Sequence, residues 1–206
     1  MRASDVPVLF ENKEFLVVNK PAGILTIPGR DPAAPSLLNI LCQNGGPKLW
    51  VVHRLDRETS GCLVFAKDEK AHREACGWFE KHETKKEYVA FASGEPRLPV
   101  MKLDSPIEGA RAVSQMSVFE RFPGGFIASV RILTGRRHQI RIHLSGAGFS
   151  IFGDAEYGGA RECGPAVFTR VALHARKLEL PNGMKFLADY PSDFQEWSRK
   201  LEVKLP

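Results

Sequence analysis

Apolar and polar positions along this chain come in short blocks, broken often by proline and glycine. Near the start, VLFENKEFLVVNKPAG sets β-favouring apolar clusters between turn residues, so FLVVNK reads as a strand that ends at Pro21-Ala22-Gly23. The density of proline and glycine from Ile24 to Pro35 predicts a loop. Ser36 is suited to cap a short helix through LLNILCQ, and Asn44-Gly45-Gly46-Pro47 stops it, because glycine favours left-handed geometry and proline cannot continue a helix. Between the apolar flanks Val51-Val52 and Cys62 to Ala66 lies a charged middle, the pattern of strand ends around a loop that presents side chains from a rigid scaffold. Asp68 then caps a helix through EKAHREACGWFEKH, with Ala71, Ala75, Trp78 and Phe79 recurring at spacings of three and four along one face.

Further on, Tyr88, Val89 and Phe91 make KKEYVAFASG a strand, and SQMSVFERF followed by GGFIASVRILTG reads as a hairpin turning near Pro123-Gly124-Gly125. The period changes in GRRHQIRIHLSGAG. A short helix is expected there, capped by Thr134, with Ile140 and Leu144 on one face and Arg137 and Arg141 on another. VALHARKLEL and MKFLADYP read as strands and DFQEWSRKL as a final helix. This order is neither a regular βαβα alternation nor all-β, and there is no internal repeat, so the expected class is α+β with a large, mixed, mostly antiparallel sheet.

Length and composition narrow the picture. At 206 residues and 43% hydrophobic content the chain can bury a proper core, as one domain or a tightly fused pair. A formal charge of +5 favours a polyanionic partner without establishing one. The four cysteines are scattered, with no C-x-x-C pair, and read as reduced thiols. No apolar run has the length of a signal peptide or of a membrane span, so a cytoplasmic location is expected.

The chemistry concentrates in two clusters. In HRLDRETSG, Asp56 lies between Arg54 and Arg57, and positive neighbours favour the ionised carboxylate, which suits a nucleophile, a base or an ion-pair anchor. Taken alone, R-x-D-R is more often a salt-bridged turn. The second cluster, GRRHQIRIHLSG, packs three arginines and two histidines into eight positions and roots them with Ile140, Ile142 and Leu144. With Lys85, Lys86 and Tyr88 it supplies cations for phosphates and an aromatic ring for an unpaired base. The dispersed histidines have no metal-ligand spacing, and neither a phosphate-binding loop nor a dinucleotide fingerprint occurs, so no metal and no cofactor are expected.

His53-Arg54-Leu55-Asp56-Arg57-Glu58-Thr59-Ser60-Gly61, then Lys86-Glu87-Tyr88, then Gly135-Arg136-Arg137-His138-Gln139-Ile140-Arg141-Ile142-His143, resemble the recurring motifs of the RluA-type pseudouridine synthases, in the same order. Asn19-Lys20-Pro21-Ala22-Gly23 and Gly153-Asp154-Ala155-Glu156-Tyr157-Gly158 resemble further segments of that family. The likeness runs from about Phe10 to about Pro191.

The resemblance implies the pseudouridine synthase fold, with a large mostly antiparallel sheet flanked by helices and a central cleft for RNA. It implies an isomerase that breaks the N1–C1′ bond of a uridine in structured RNA, turns the base and rejoins it through C5, with no cofactor. Asp56 would then be the catalytic aspartate, Arg141 its paired arginine and Tyr88 the ring on the target base. Arg54 would enter the stack when the uridine is flipped out, Ile142 would lie beneath the base, and Arg136, Arg137 and His138 would face RNA. Arg137 departs from the family pattern, where a small hydroxyl residue is expected. The chain is expected to be one catalytic domain over residues 1–206, monomeric, without an S4-like RNA-binding domain, acting on an rRNA or tRNA stem-loop. The competing expectation is a non-catalytic RNA-binding or RNA-chaperone protein on the same fold. A glycosidase is disfavoured, since no second carboxylate is evident as its acid.

Overall fold

The structure is a computed structural model that describes residues 2–29, 34–43 and 46–206. In chain order its strands are β1 (Val8–Glu11), β2 (Phe15–Lys20), β3 (Trp50–Val51), β4 (Ser60–Ala66), β5 (Lys85–Ser93), β6 (Val100–Leu103), β7 (Ser114–Phe122), β8 (Gly125–Ile132), β9 (Glu162–Cys163), β10 (Ala166–Val167), β11 (Leu173–Glu179) and β12 (Lys185–Leu187). The α-helices are α1 (Leu37–Cys42), α2 (Glu69–Glu80), α3 (Gln139–Gly146) and α4 (Ser192–Lys200). The pairings of β2 with β1 and β4, of β8 with β5 and β7, of β6 with β7 and of β11 with β12 are all antiparallel, as the α+β reading expected. The chain divides into two compact units, Met1–Lys85 with Ala175–Asp189, and Lys86–His174 with Tyr190–Pro206.

In the first unit β2 lies between β1 and β4, with Phe15 opposite Ala66 and Lys20 opposite Gly61. Every residue of β4 is buried, and so are Phe15, Leu16, Val17 and Val18. Both faces of these strands are therefore covered, which is why FLVV and CLVFA run apolar without alternating. One face packs Phe15, Val17, Cys62 and Val64 against Ala71 and Ala75 of α2 and against Leu178 and Phe186, with Trp78 and Phe79 half-buried beside them. Each large apolar side chain so covered contributes about 1.5–3 kcal/mol. Asp68 caps α2 as expected, its carboxylate accepting the Ala71 N–H at 2.8 Å. Ser36 caps α1 by accepting the Asn39 N–H at 3.3 Å. The expected Asn44-Gly45 stop lies outside the described residues.

The second unit carries a four-stranded antiparallel run in the order β5, β8, β7, β6. The β7–β8 hairpin closes where expected, with Gly124 at φ +86°. Its core is aromatic: Phe91 meets Phe194 edge-on with centroids 5.4 Å apart, and Phe152 stacks on Phe168 at 4.6 Å. Such pairs add about 0.5–1.5 kcal/mol beyond burial. Phe194 and Trp197 anchor α4, and the Trp197 indole N–H donates to the Val167 carbonyl at 2.9 Å.

At α3 the structure departs from the sequence pattern at two points. Thr134 does not cap it. The residue before the helix is His138, in left-handed geometry at φ +53°, because buried Thr134 instead donates its hydroxyl to Gln139 Oε1 at 2.7 Å and accepts the Val113 N–H at 2.9 Å. Nor do Arg137 and Arg141 share a helical face. Arg137 precedes the helix and is exposed, whereas Arg141 lies within it and is buried, while Ile140 and Leu144 are buried as expected.

Candidate active site

The Asp56 loop of the first unit joins β3 to β4 and is braced at nearly every residue. His53 stacks on Phe79 with centroids 4.4 Å apart, and its Nε2 accepts the Val64 N–H at 3.2 Å. Leu55 is buried, and the Thr26 hydroxyl holds both its backbone groups, donating to the carbonyl at 3.0 Å and accepting the N–H at 3.2 Å. The Arg57 carbonyl accepts the Gly23 N–H at 2.9 Å, and the Arg57 Nε–H returns a bond to the Gly23 carbonyl at 3.1 Å. Within the loop, the Thr59 N–H closes a turn onto the Asp56 carbonyl at 3.2 Å. Asp56 is thereby presented half-buried on a stiff turn between exposed Arg54 and exposed Arg57.

Underneath lies Lys20, a residue whose role the sequence reading missed. It is fully buried, and its ammonium donates to the carbonyls of Pro21 at 3.0 Å, Arg57 at 3.1 Å and Thr59 at 2.9 Å. A lysine two positions after the apolar run Phe15 to Val18 was the available signal, since a buried cation must have acceptors. Gly61 completes the loop at φ +119°, where a Cβ would overlap the backbone of Ala175. Glycine is required there by close approach as well as by conformation.

In the second unit Tyr88 and Lys86 lie on β5, opposite Val130 and Ile132 of β8, and both are buried. Burial pushes the Lys86 ammonium pKa down. Arg136 and Arg137 are exposed on the loop before α3, and Ile142 is half-buried. Gln139 holds that loop: its Oε1 accepts the Arg136 N–H at 3.0 Å as well as the Thr134 hydroxyl, while Nε2 donates to the Val113 carbonyl at 3.0 Å and Ser114 Oγ at 3.1 Å. The Arg136 Nε–H donates to the Arg111 carbonyl at 3.1 Å, which steadies one of the two exposed guanidiniums.

Arg141 is held at both prongs of its guanidinium fork. Its Nε and Nη2 donate to the two carboxylate oxygens of Asp154 at 2.7 and 2.6 Å, and Nη2 also reaches Glu156 at 3.0 Å. Its guanidinium carbon lies 4.8 Å from the centroid of the Tyr157 ring. His138 Nδ1 shares a 3.0 Å hydrogen bond with the Tyr157 hydroxyl, and burial, then the Glu156 carboxylate, push that phenol's pKa up. The family resemblance marked this segment in the sequence, but its link to Arg141 spans 13 positions and was not legible there.

Residues 14–146 match the family model described as RNA pseudouridylate synthase. The uncharacterized RNA pseudouridine synthase YhcT of Bacillus subtilis is 36% identical over 85% of this chain, which spans 64% of that relative's length. Ribosomal large subunit pseudouridine synthase D of Zymomonas mobilis is 32% identical over 97% of this chain and 74% of its own length. The dual-specificity RNA pseudouridine synthase RluA of Yersinia pestis is 34% identical over 83% of this chain and 90% of its own. Among solved structures, human RNA pseudouridylate synthase domain containing 4 superposes with a TM-score of 0.83 at 23% identity, covering 99% of this chain and 97% of that one, which shows the shared fold.

Proposed function

Because the chain belongs to the RNA pseudouridylate synthase family, of the RluA type, we propose that it isomerises uridine to pseudouridine in structured RNA with Asp56 as its catalytic carboxylate. The observation that carries this reading is the bracing of the Asp56 turn. Lys20, Gly23 and Thr26 hold its backbone at Leu55, Arg57 and Thr59, so the carboxylate among them is aimed by a fixed frame of backbone carbonyls.

The chemistry follows from the residue types. An ionised carboxylate serves at the sugar, attacking C1′ or removing the 2′ proton, while the N1–C1′ bond breaks. The base turns and C5 bonds to C1′, displacing the carboxylate ester in the first path or with return of the proton to C2′ in the second, after which the C5 proton leaves to water and N1 takes one up. Arg141 supports the carboxylate, Tyr88 stacks on the target base and Ile142 lies beneath it. Arg54 fills the gap left by the flipped uridine, a step required because a stacked base hides its reacting atoms. Arg136, Arg137 and His138 meet the phosphate backbone. One relative is named for the large ribosomal subunit, so ribosomal RNA is the first substrate to try, with transfer RNA, the other substrate implied by the sequence resemblance, beside it.

The experiment is tritium release from RNA labelled at C5 of uridine and lacking the modification, with wild type beside Asp56→Asn. Release by wild type with at least about a 10³-fold loss in the variant is expected, RNA affinity staying within about threefold. Turnover by Asp56→Asn at the wild-type rate would sink the assignment of the carboxylate. Tight RNA binding without release by either protein would favour the binding-protein reading.

A further inference from the structure

The Gly153-to-Gly158 segment stood out in the sequence without acquiring a role, and the structure ties it to Arg141. Asp154 has no exposed surface, and its carboxylate closes a bidentate fork on that guanidinium. The turn carrying it is rigid: the Gly153 N–H donates to the Ala160 carbonyl at 2.8 Å, and the Gly159 N–H donates to the Asp154 carbonyl at 2.7 Å. A Cβ at Gly153 would strike the Arg170 carbonyl carbon at 2.6 Å, and one at Gly159 would strike the Asp154 nitrogen at 2.8 Å. Stability alone is a poor reason for this pair. Desolvation offsets most of the attraction of a buried ion pair. Arg141 is also the third residue of α3, where the positive end of the helix dipole opposes a cation. What a two-point fork, with an aromatic ring against one face, does secure is the plane and reach of a guanidinium.

We propose that Asp154 is a positioning residue of the isomerisation, setting the orientation from which Arg141 acts. The proposal rests on the reading of Arg141 as an active-site group given above. Glu156 touches the same nitrogen from an exposed position and is an auxiliary contact.

The test uses the full chain and the tritium-release assay. Asp154→Asn keeps the shape of the side chain and an acceptor for the Tyr157 N–H, but it cannot form a charged fork. Its kcat is expected to fall about 100-fold with KM for RNA within about threefold, the signature of misplacement rather than lost binding. Made on top of Arg141→Ala, the same substitution is expected to lower kcat by less than about threefold, because Asp154 acts through Arg141. Losses that multiply in the double variant, or an Asp154→Asn enzyme within about twofold of wild type, would overturn the proposal. Arg141→Lys covers the case in which Asp154→Asn does not fold. It keeps a cation beside Asp154 without the fork, so a comparable fall in kcat is expected, and wild-type turnover would overturn the idea. The Arg141 Nε–H proton resonance separates this proposal from the functional reading. A slowly exchanging signal abolished by Asp154→Asn supports the clamp. An active wild type without that signal sinks the clamp alone, whereas a wild type that shows it but turns over no RNA sinks the functional reading and Asp154's part in it.

Discussion

Replacing Lys20 by methionine isolates what the buried ammonium does for the Asp56 turn. Methionine keeps the length and apolar character of the stem, so packing in β2 is conserved and only the charged donor is lost. Three hydrogen bonds disappear, of 3.0, 3.1 and 2.9 Å, two of them to carbonyls that flank the turn at Arg57 and Thr59. A hydrogen bond with one charged partner contributes about 1.5–3 kcal/mol net, so the three sum to roughly 5–9 kcal/mol. The three bonds share one ammonium and are not additive, so the loss falls to about half of that sum. The balance is a destabilisation of about 3–4 kcal/mol, equivalent to a midpoint lowered by about 6–16 °C for a chain of this size. Thermal unfolding followed by tryptophan fluorescence measures it, and tritium release at a temperature where both proteins are folded reads the effect on the turn. A loss in kcat larger than any loss in RNA affinity is expected, because the carboxylate is aimed by the carbonyl frame. A midpoint within about 2 °C of wild type, with unchanged turnover, would refute the reasoning.

Gly61→Ala should cost about 3 kcal/mol or more, combining positive-φ strain at +119° with overlap on the Ala175 backbone; chemical denaturation checks it, and a change under about 1 kcal/mol would contradict the close approach. Gln139→Leu removes an amide that serves Thr134, Arg136, Val113 and Ser114. A loss of about 2–4 kcal/mol is expected, together with weaker RNA binding through the loosened arginine loop, and unchanged stability and affinity would remove that anchoring role. Burial pushes the Cys62 thiol up to about 12 from 9.0, so above pH 9 the unfolded chain binds fewer protons than the folded one and stability falls as pH rises toward 12. The slope approaches about 1.4 kcal/mol per pH unit and should vanish in Cys62→Ala; parallel unfolding curves for the two proteins between pH 9 and pH 11 would exclude it.

The sequence by itself determined most of the local structure here, because turns, caps and apolar runs are decided by near neighbours. FLVVNK, the Asp68 cap, the Pro123-Gly124 turn and the helix from Ser192 are each set within a few residues. It also determined the family, since His53 to Gly61 and Gly135 to His143 carry rare residue combinations in order. Thr134 shows where local reasoning stops: a residue well suited to capping was captured by Gln139 Oε1 and the Val113 N–H, because a backbone donor left unpaired away from water costs more than an unfilled helix cap. Lys20 and Asp154 show the same limit from the other side. Each reads as an ordinary charged residue beside a turn, and each acquires its role from partners 37–39 or 13 positions away. Only the tertiary structure decides such contacts, because an ion or amide shut away from water must take whatever acceptors the fold brings to it, whatever their distance along the chain.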